Sequence, residues 1–357
     1  MSETDVLLIG AGQCGLALSR ELTRRGVSHE VLSERAAPGD VWRERWDSLR
    51  LFTPARFDGL PGRPFPASAR HRPTGRAFGD YLDDYAEWIS APVHPRQRAT
   101  RIVADDHGFV VTSRDDAQGW RARRVVVATG GQTRPRVPAR AAALDARIVQ
   151  RHTSEYRRPE DLPGERVLVV GCGTSGVQLG IELARAGRRV VVAGRPTARI
   201  PAPLLAVAGP AWFTFMHRVL THATPIGRRA AVRAVTAGAP LVGISPRDLA
   251  RAGARLAPRF VDVVDGLPRL ADGTVVETDA VLWATGYRPD LDWIDGLPLD
   301  EHGMPAHDRG VSTDIAGLAF MGLPFQFGLT STLIGGSGRD AEHLAAVIQT
   351  SSRLLAA

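Results

Sequence analysis

Two short runs, Gly10-Ala11-Gly12-Gln13-Cys14-Gly15 and Gly171-Cys172-Gly173-Thr174-Ser175-Gly176, carry glycine at the same three of their six positions. That spacing suits the binding of a diphosphate. The first glycine permits a tight turn, the second lets the backbone approach the pyrophosphate, and the third lets helix and strand pack closely. The phosphates then rest on backbone N–H groups at the positive end of a helix dipole. One such loop alone is weak evidence, because it can be no more than a tight turn between strand and helix.

The surrounding elements supply the rest of the argument. Val6-Leu7-Leu8-Ile9 is a short apolar run of the kind that makes a buried parallel strand. After the first loop, Leu16, Leu18 and Leu22 recur at helical spacing to Arg25, and Gly26 is the stop. A second strand, 30–33, ends at Glu34 with Arg35 beside it. Around the second loop the order is the same: strand 166–170, turn, helix 177–186, Gly187 as stop, and strand 189–193 ending at Gly194-Arg195. Each unit is followed by a strand closing on Ala-Thr-Gly, at Ala128-Thr129-Gly130 and Ala284-Thr285-Gly286, offset 118 and 113 residues from the loops. The expected fold is α/β with two dinucleotide-binding, Rossmann-like lobes.

The strand ends separate the two ligands. Glu34 can accept hydrogen bonds from a ribose diol, so the first loop is assigned FAD. Arg195 suits a ribose 2′-phosphate, so the second is assigned NADPH. The alternative for Arg195 is an ordinary solvent-facing arginine, which leaves NADH open.

The chain has 357 residues and a formal charge of +7, with neither Lys nor Asn, so every fixed cation is Arg. Those arginines are spread along the chain, which argues against a nucleic-acid partner. Two distant cysteines, Cys14 and Cys172, form no disulfide framework and no redox pair, and a reducing cytoplasm is the expected location. No signal peptide fits the start, and the most membrane-like stretch, 203–220, is interrupted by Pro210, His217 and Arg218. No membrane span is expected. Five prolines mark 52–73 as loop, residues 101–113 and 263–276 read as hairpins with Asp272-Gly273 a turn, and 203–239 reads as mostly helical.

Over nearly its whole length the chain resembles the flavin-containing monooxygenases, the class B flavoprotein monooxygenases, in their compact bacterial form. The resemblance rests on Gly39-Asp40-Val41-Trp42-Arg43-Glu44-Arg45, Asp47 to Leu51, Arg72-Pro73-Thr74 and both Ala-Thr-Gly strands. It continues in His152-Thr153-Ser154-Glu155-Tyr156, Ala284 to Tyr287, and the tail from Gly322-Leu323-Pro324 to Gly338-Arg339-Asp340-Ala341. It departs where Ala146 and Ile148 replace the Phe and Gly that open the family signature, at Thr174, where Asn is common, and at Phe52, where larger members place an Asn beside the flavin.

The resemblance implies an FAD-binding domain of residues 1–159 and 291–357, with an NAD(P)H-binding domain, 160–290, inserted in it. It also implies hydride reduction of FAD, activation of O2 as a C4a-(hydro)peroxyflavin, and oxygen transfer to a small molecule, either a soft nucleophile or a ketone. The alternative is a flavoprotein reductase that serves another electron acceptor. No acid–base triad is required. His152 is expected to be structural, at the domain junction. Trp42 and Arg43 are expected beside the flavin and its phosphates, Thr129 and Gly130 at the crossover, Gly322 against the ribityl chain, and Gln326 and Phe52 near the ring. Thr330 to Leu333, as the opening of the last helix, would aim N–H groups at the pyrimidine edge. A homodimer is implied by the resemblance alone.

Overall fold

The computed structural model describes residues 1–114, 119–200, 202–236 and 240–356. Its organising element is the strand Ser2–Ile9, whose last four residues are fully or nearly buried. It lies in parallel between His29–Leu32 and Trp120–Val127 at the centre of a nine-stranded sheet. The chain returns to this sheet at its far end, where Leu318–Phe320 pairs in parallel with Trp120–Val127. The helix Gln13–Arg24 then meets the last helix, Ser337–Ala356, in one apolar cluster that joins Leu18 and Leu22 to Leu344 and Ile348. The first lobe is therefore built from both ends of the chain.

The second lobe is a five-stranded, wholly parallel sheet in the order 255–257, 189–193, 166–170, 280–283, 149–152. Its three inner strands are near-continuous apolar runs because both faces are covered. Sheet membership places the division earlier than residue 160: Val149–His152 is already an edge strand of the second sheet, paired with Ala280–Trp283. The two chain crossings run side by side, with Arg134–Pro135 antiparallel to Tyr287–Arg288.

The first expected hairpin forms, and the second forms one strand earlier than expected, with only an isolated bridge between Arg269 and Val275 across Asp272-Gly273. Ala99–Asp105 pairs with Gly108–Ser113, and Phe260–Val264 with Leu267–Leu270. The second hairpin turns at Asp265-Gly266, both at positive φ, which matches the right-handed strand twist. Asp272-Gly273 makes a further tight turn beyond it. The segment 203–239 is helical as Ala202–Arg218 and Pro225–Thr236, and its residues 237–239 lie outside the described residues. No described helix is long and apolar enough to cross a membrane.

A further helix, Gly75–Trp88, was not foreseen. It buries Phe78, Tyr81, Leu82 and Tyr85 against Phe65 and the Trp42 ring. Thr74 caps it, its side chain accepting from the Ala77 N–H at 3.1 Å. Thr74→Ala should therefore lower stability by about 1 kcal/mol, and chemical denaturation would show it as a shifted midpoint with an unchanged slope.

Candidate functional site

Both glycine loops fold alike, and the protein's own backbone accounts for two of the three glycines in each. Gly10 has φ +115°, and a Cβ there would lie 2.7 Å from the Ala128 carbonyl oxygen; a Cβ on Gly15 would lie 1.9 Å from that of Gly10. In the second loop Gly171 repeats φ +115° with 2.3 Å to the Ala284 oxygen, and Gly176 repeats the 1.9 Å approach, to Gly171. The middle glycines differ. A Cβ on Gly12 or Gly173 would meet no protein atom within 4 Å. Chain packing does not explain their bareness, whereas a diphosphate in the cradle does.

The helices opening from these loops suit an anion. Neither has a side-chain cap or an acid in its first turn. The first helical bonds are made by the N–H groups of Leu16 and Val177, each 3.0 Å from the carbonyl of Gly12 or Gly173. The N–H groups of Gln13, Cys14 and Gly15, and of Thr174, Ser175 and Gly176, precede those bonds and have no helical acceptor.

Further residues gather at the first loop. The Trp42 indole N–H donates to Gln13 Oε1 at 3.3 Å, which fixes the ring against the loop. Gly130 takes φ +77° at the crossover after Thr129. Gly322 takes φ +91°, and a Cβ there would lie 2.8 Å from the Cys14 Sγ. Gln326 is fully buried, and its Oε1 accepts from the N–H groups of Gly322 at 2.9 Å and Leu323 at 3.3 Å. It thus holds the returning loop in shape. Phe52 is half-buried in the loop before the short turn Ala55–Phe57. Burial, with the nearby Asp340 charge, pushes the Cys14 thiol up to about 12, which disfavours the reactive thiolate. Burial also raises that of Cys172.

At the ribose ends, the Glu34 carboxylate is ion-paired with Arg35, and Arg98 lies 3.8 Å away. Arg195 is exposed, with no ion pair among the described residues, and follows Gly194, which sits against the second loop at Cys172. His152 closes the edge strand of the second sheet: its Nε2 donates to the Gly286 carbonyl at 3.1 Å, and its Nδ1 meets Ser154 Oγ at 2.9 Å. Burial lowers its pKa, and both ring nitrogens are engaged within the protein.

Two expected placements differ. The Arg43 guanidinium faces three carboxylates, Asp80 and Asp83 at 2.6 Å and Asp40 at 3.2 Å, so it ties two helices together rather than pointing at phosphates. Thr330 to Leu333 do not open the last helix, which begins at Ser337 after the turn Ile334–Gly336. The Leu333 N–H is spent on the Thr330 carbonyl, and the fully buried Thr330 hydroxyl pairs with His217 Nδ1 at 3.0 Å.

That last contact belongs to the helical segment 203–239, which the sequence marks as entrance-lining but whose partners on the first lobe it does not name. The two helices of 202–236 fold back onto the first lobe. Phe213 stacks on Phe57 at 4.3 Å, the Leu329 N–H donates to the Leu220 carbonyl at 2.9 Å, and His222 Nε2 donates to the Phe325 carbonyl at 2.8 Å. Arg339 lies over the Phe327 ring at 4.4 Å and donates to the His217 carbonyl. Phe325 takes φ +55°, a strained conformation for a bulky residue, and this clamp holds it.

Comparison with known proteins gives a consistent picture. Residues 7–204 match the pyridine nucleotide-disulphide oxidoreductase family. An uncharacterized CzcO-like oxidoreductase of Geobacillus kaustophilus is 35% identical, over 95% of this chain and 97% of that one. An indole-3-pyruvate monooxygenase of Oryza sativa subsp. japonica is 30% identical, over 80% of this chain and 77% of its own length. Among solved structures, a flavin-containing monooxygenase from Stenotrophomonas maltophilia superposes with a TM-score of 0.82 at 27% identity, covering 99% of this chain and 100% of that one.

Proposed function

The chain belongs to the flavin-containing monooxygenase family and is an NAD(P)H-dependent flavoprotein oxidoreductase, and from that premise we propose that it binds FAD at the first loop and NADPH at the second, and oxygenates a small sulfide, amine or ketone. The observation that carries the proposal is the matched pair of cradles, in each of which the middle glycine alone meets no protein atom. When bound, the flavin supplies hydride acceptance and the reaction with O2.

The chain's own residues bind, orient and insulate. The free N–H groups of the two helix starts hold the diphosphates, and Glu34 receives the ribose hydroxyls once Arg35 and Arg98 share its carboxylate. Trp42, pinned by Gln13, and the loop stapled by Gln326 shape the walls. The helical cover, held by His217, His222 and Arg339, excludes water from above that loop. No side chain need act as general base.

The test is to reduce the enzyme anaerobically with NADPH, admit air, and follow the flavin spectrum rapidly. A transient near-ultraviolet species, with product formed from a sulfide, amine or ketone, is the expected result. Immediate reoxidation with stoichiometric hydrogen peroxide, whatever substrate is offered, would favour a reductase, the reading for which Phe52 in the place of the family's Asn speaks.

For the nicotinamide, Arg195→Ser should raise KM for NADPH roughly 10- to 100-fold, as expected for a lost charge-assisted phosphate contact. The value for NADH should barely change. A variant in which both cofactors behave as before would remove Arg195 from the site.

A further inference from the structure

Although arginines are spread along the chain, acids are not. From residue 183 to residue 247 there is no Asp or Glu, while ten arginines fall in that stretch, more than the whole chain's net charge of +7. Strand 189–193 and both helices of the cover lie within it.

The inner face of the cover is committed to the first lobe through Phe213, His217 and Leu220. The outer face is a different surface. On Ala202–Arg218 it presents Phe215, 39% exposed, with Arg218 one turn on. On Pro225–Thr236 it presents Ile226, 56% exposed, and Val232, 74% exposed, beside the exposed Arg228 and Arg229. Among the described residues, most large exposed apolar side chains stand singly, but Phe215, Ile226 and Val232 fall on this one hairpin. Large apolar groups among arginines, with no acid near in sequence, form an amphipathic surface of a particular kind.

We propose that this helical hairpin docks the protein on an anionic lipid surface, lying in the headgroup plane without crossing it. Ile226, Val232 and Phe215 enter the acyl boundary, while the arginine heads stay at the lipid phosphates with their stems against the apolar layer. Two alternatives fit this surface less well. A two-fold contact between copies would set this stretch, which carries no acid of its own, against itself, cation facing cation. A nucleic acid would match the charge but leave the aliphatic tips without a partner.

The experiment is co-sedimentation of the purified full chain with phosphatidylcholine vesicles made with and without phosphatidylglycerol. Binding is expected to the anionic vesicles, falling as salt is raised. Arg228→Glu with Arg229→Glu should weaken it by on the order of 30-fold, and Ile226→Glu by roughly 10-fold, with melting temperatures unchanged. Should a variant fold poorly, the lipid and salt dependence of the unsubstituted protein decides the matter. Equal binding to both vesicle types, or binding to neither, overturns the proposal. So does a dimer mass in light scattering that Ile226→Glu reduces to one chain, which would assign the surface to a second copy.

Discussion

Valine at Gly173 should give a yellow, folded protein whose flavin NADPH no longer bleaches. Gly173 has φ −81° and ψ −172°, extended backbone that valine adopts without strain, and its Cβ would meet no protein atom within 4 Å. What the substitution removes is the close approach of a diphosphate to the helix start. Losing two charge-assisted N–H contacts of about 1.5–3 kcal/mol each corresponds to roughly 10²- to 10⁴-fold weaker nicotinamide binding. Gly12, at φ −71° and ψ −173°, is its counterpart, and Gly12→Val should yield folded but colourless protein. Gly15→Val and Gly176→Val are different, because a Cβ 1.9 Å from a carbonyl oxygen breaks the packing of helix on strand, and misfolding is expected. Flavin content, circular dichroism and anaerobic bleaching separate these outcomes. Full flavin occupancy in Gly12→Val, or normal bleaching in Gly173→Val, would remove the cradles from their assigned roles.

Those loops were legible because everything they need is local. Strand, turn, helix and the closing Ala-Thr-Gly repeat in order, and the first and third glycines of each loop meet atoms of their own unit or of the adjacent crossing strand. The helix Gly75–Trp88 carries an equally local signal, since Phe78, Tyr81, Leu82 and Tyr85 follow helical spacing after a capping Thr74, directly after a proline-rich loop. Val149–His152 was hidden for a physical reason. As an edge strand with Gln150 and Arg151 inside it, it shows no apolar run, so the boundary between the lobes was set too late.

The contacts that seat the cover could not be read, because they join residues that are far apart in sequence. Arg339 reaches the carbonyl of His217, His222 reaches that of Phe325, and His152 reaches that of Gly286. An arginine or histidine donating to a carbonyl leaves no pattern, since every residue offers a carbonyl. Arg43 shows the converse. Its family-like surroundings suggested phosphate, but Asp80 and Asp83 lie on a helix that was not foreseen, and they claim the guanidinium.

Asp58, in the proline-rich loop, should make the protein lose stability as pH rises through neutrality. It is fully buried, Thr53 donates to its Oδ1, and its Oδ2 has no hydrogen-bond partner. Burial pushes its pKa from 3.8 to about 7, with the Thr53 bond opposing. Between those values the folded state holds a proton that the unfolded chain has released. The stabilisation is therefore fully present below about pH 4 and is lost as pH passes through about 7, a difference of up to about 4 kcal/mol. The adjoining Phe57 stacks on Phe213, so the loop that loosens is one that carries the cover. Asp58→Asn keeps the acceptor for Thr53 and cannot ionise. Its own amide N–H remains without an acceptor and costs about 1–3 kcal/mol at every pH, so the slope rather than the level is diagnostic. Melting temperatures of the two proteins should diverge from pH 5 to pH 8, with the parent falling and the variant nearly flat on this account. Parallel curves would show that Asp58 is ionised throughout, and that the folded loop supplies solvation its buried position does not reveal.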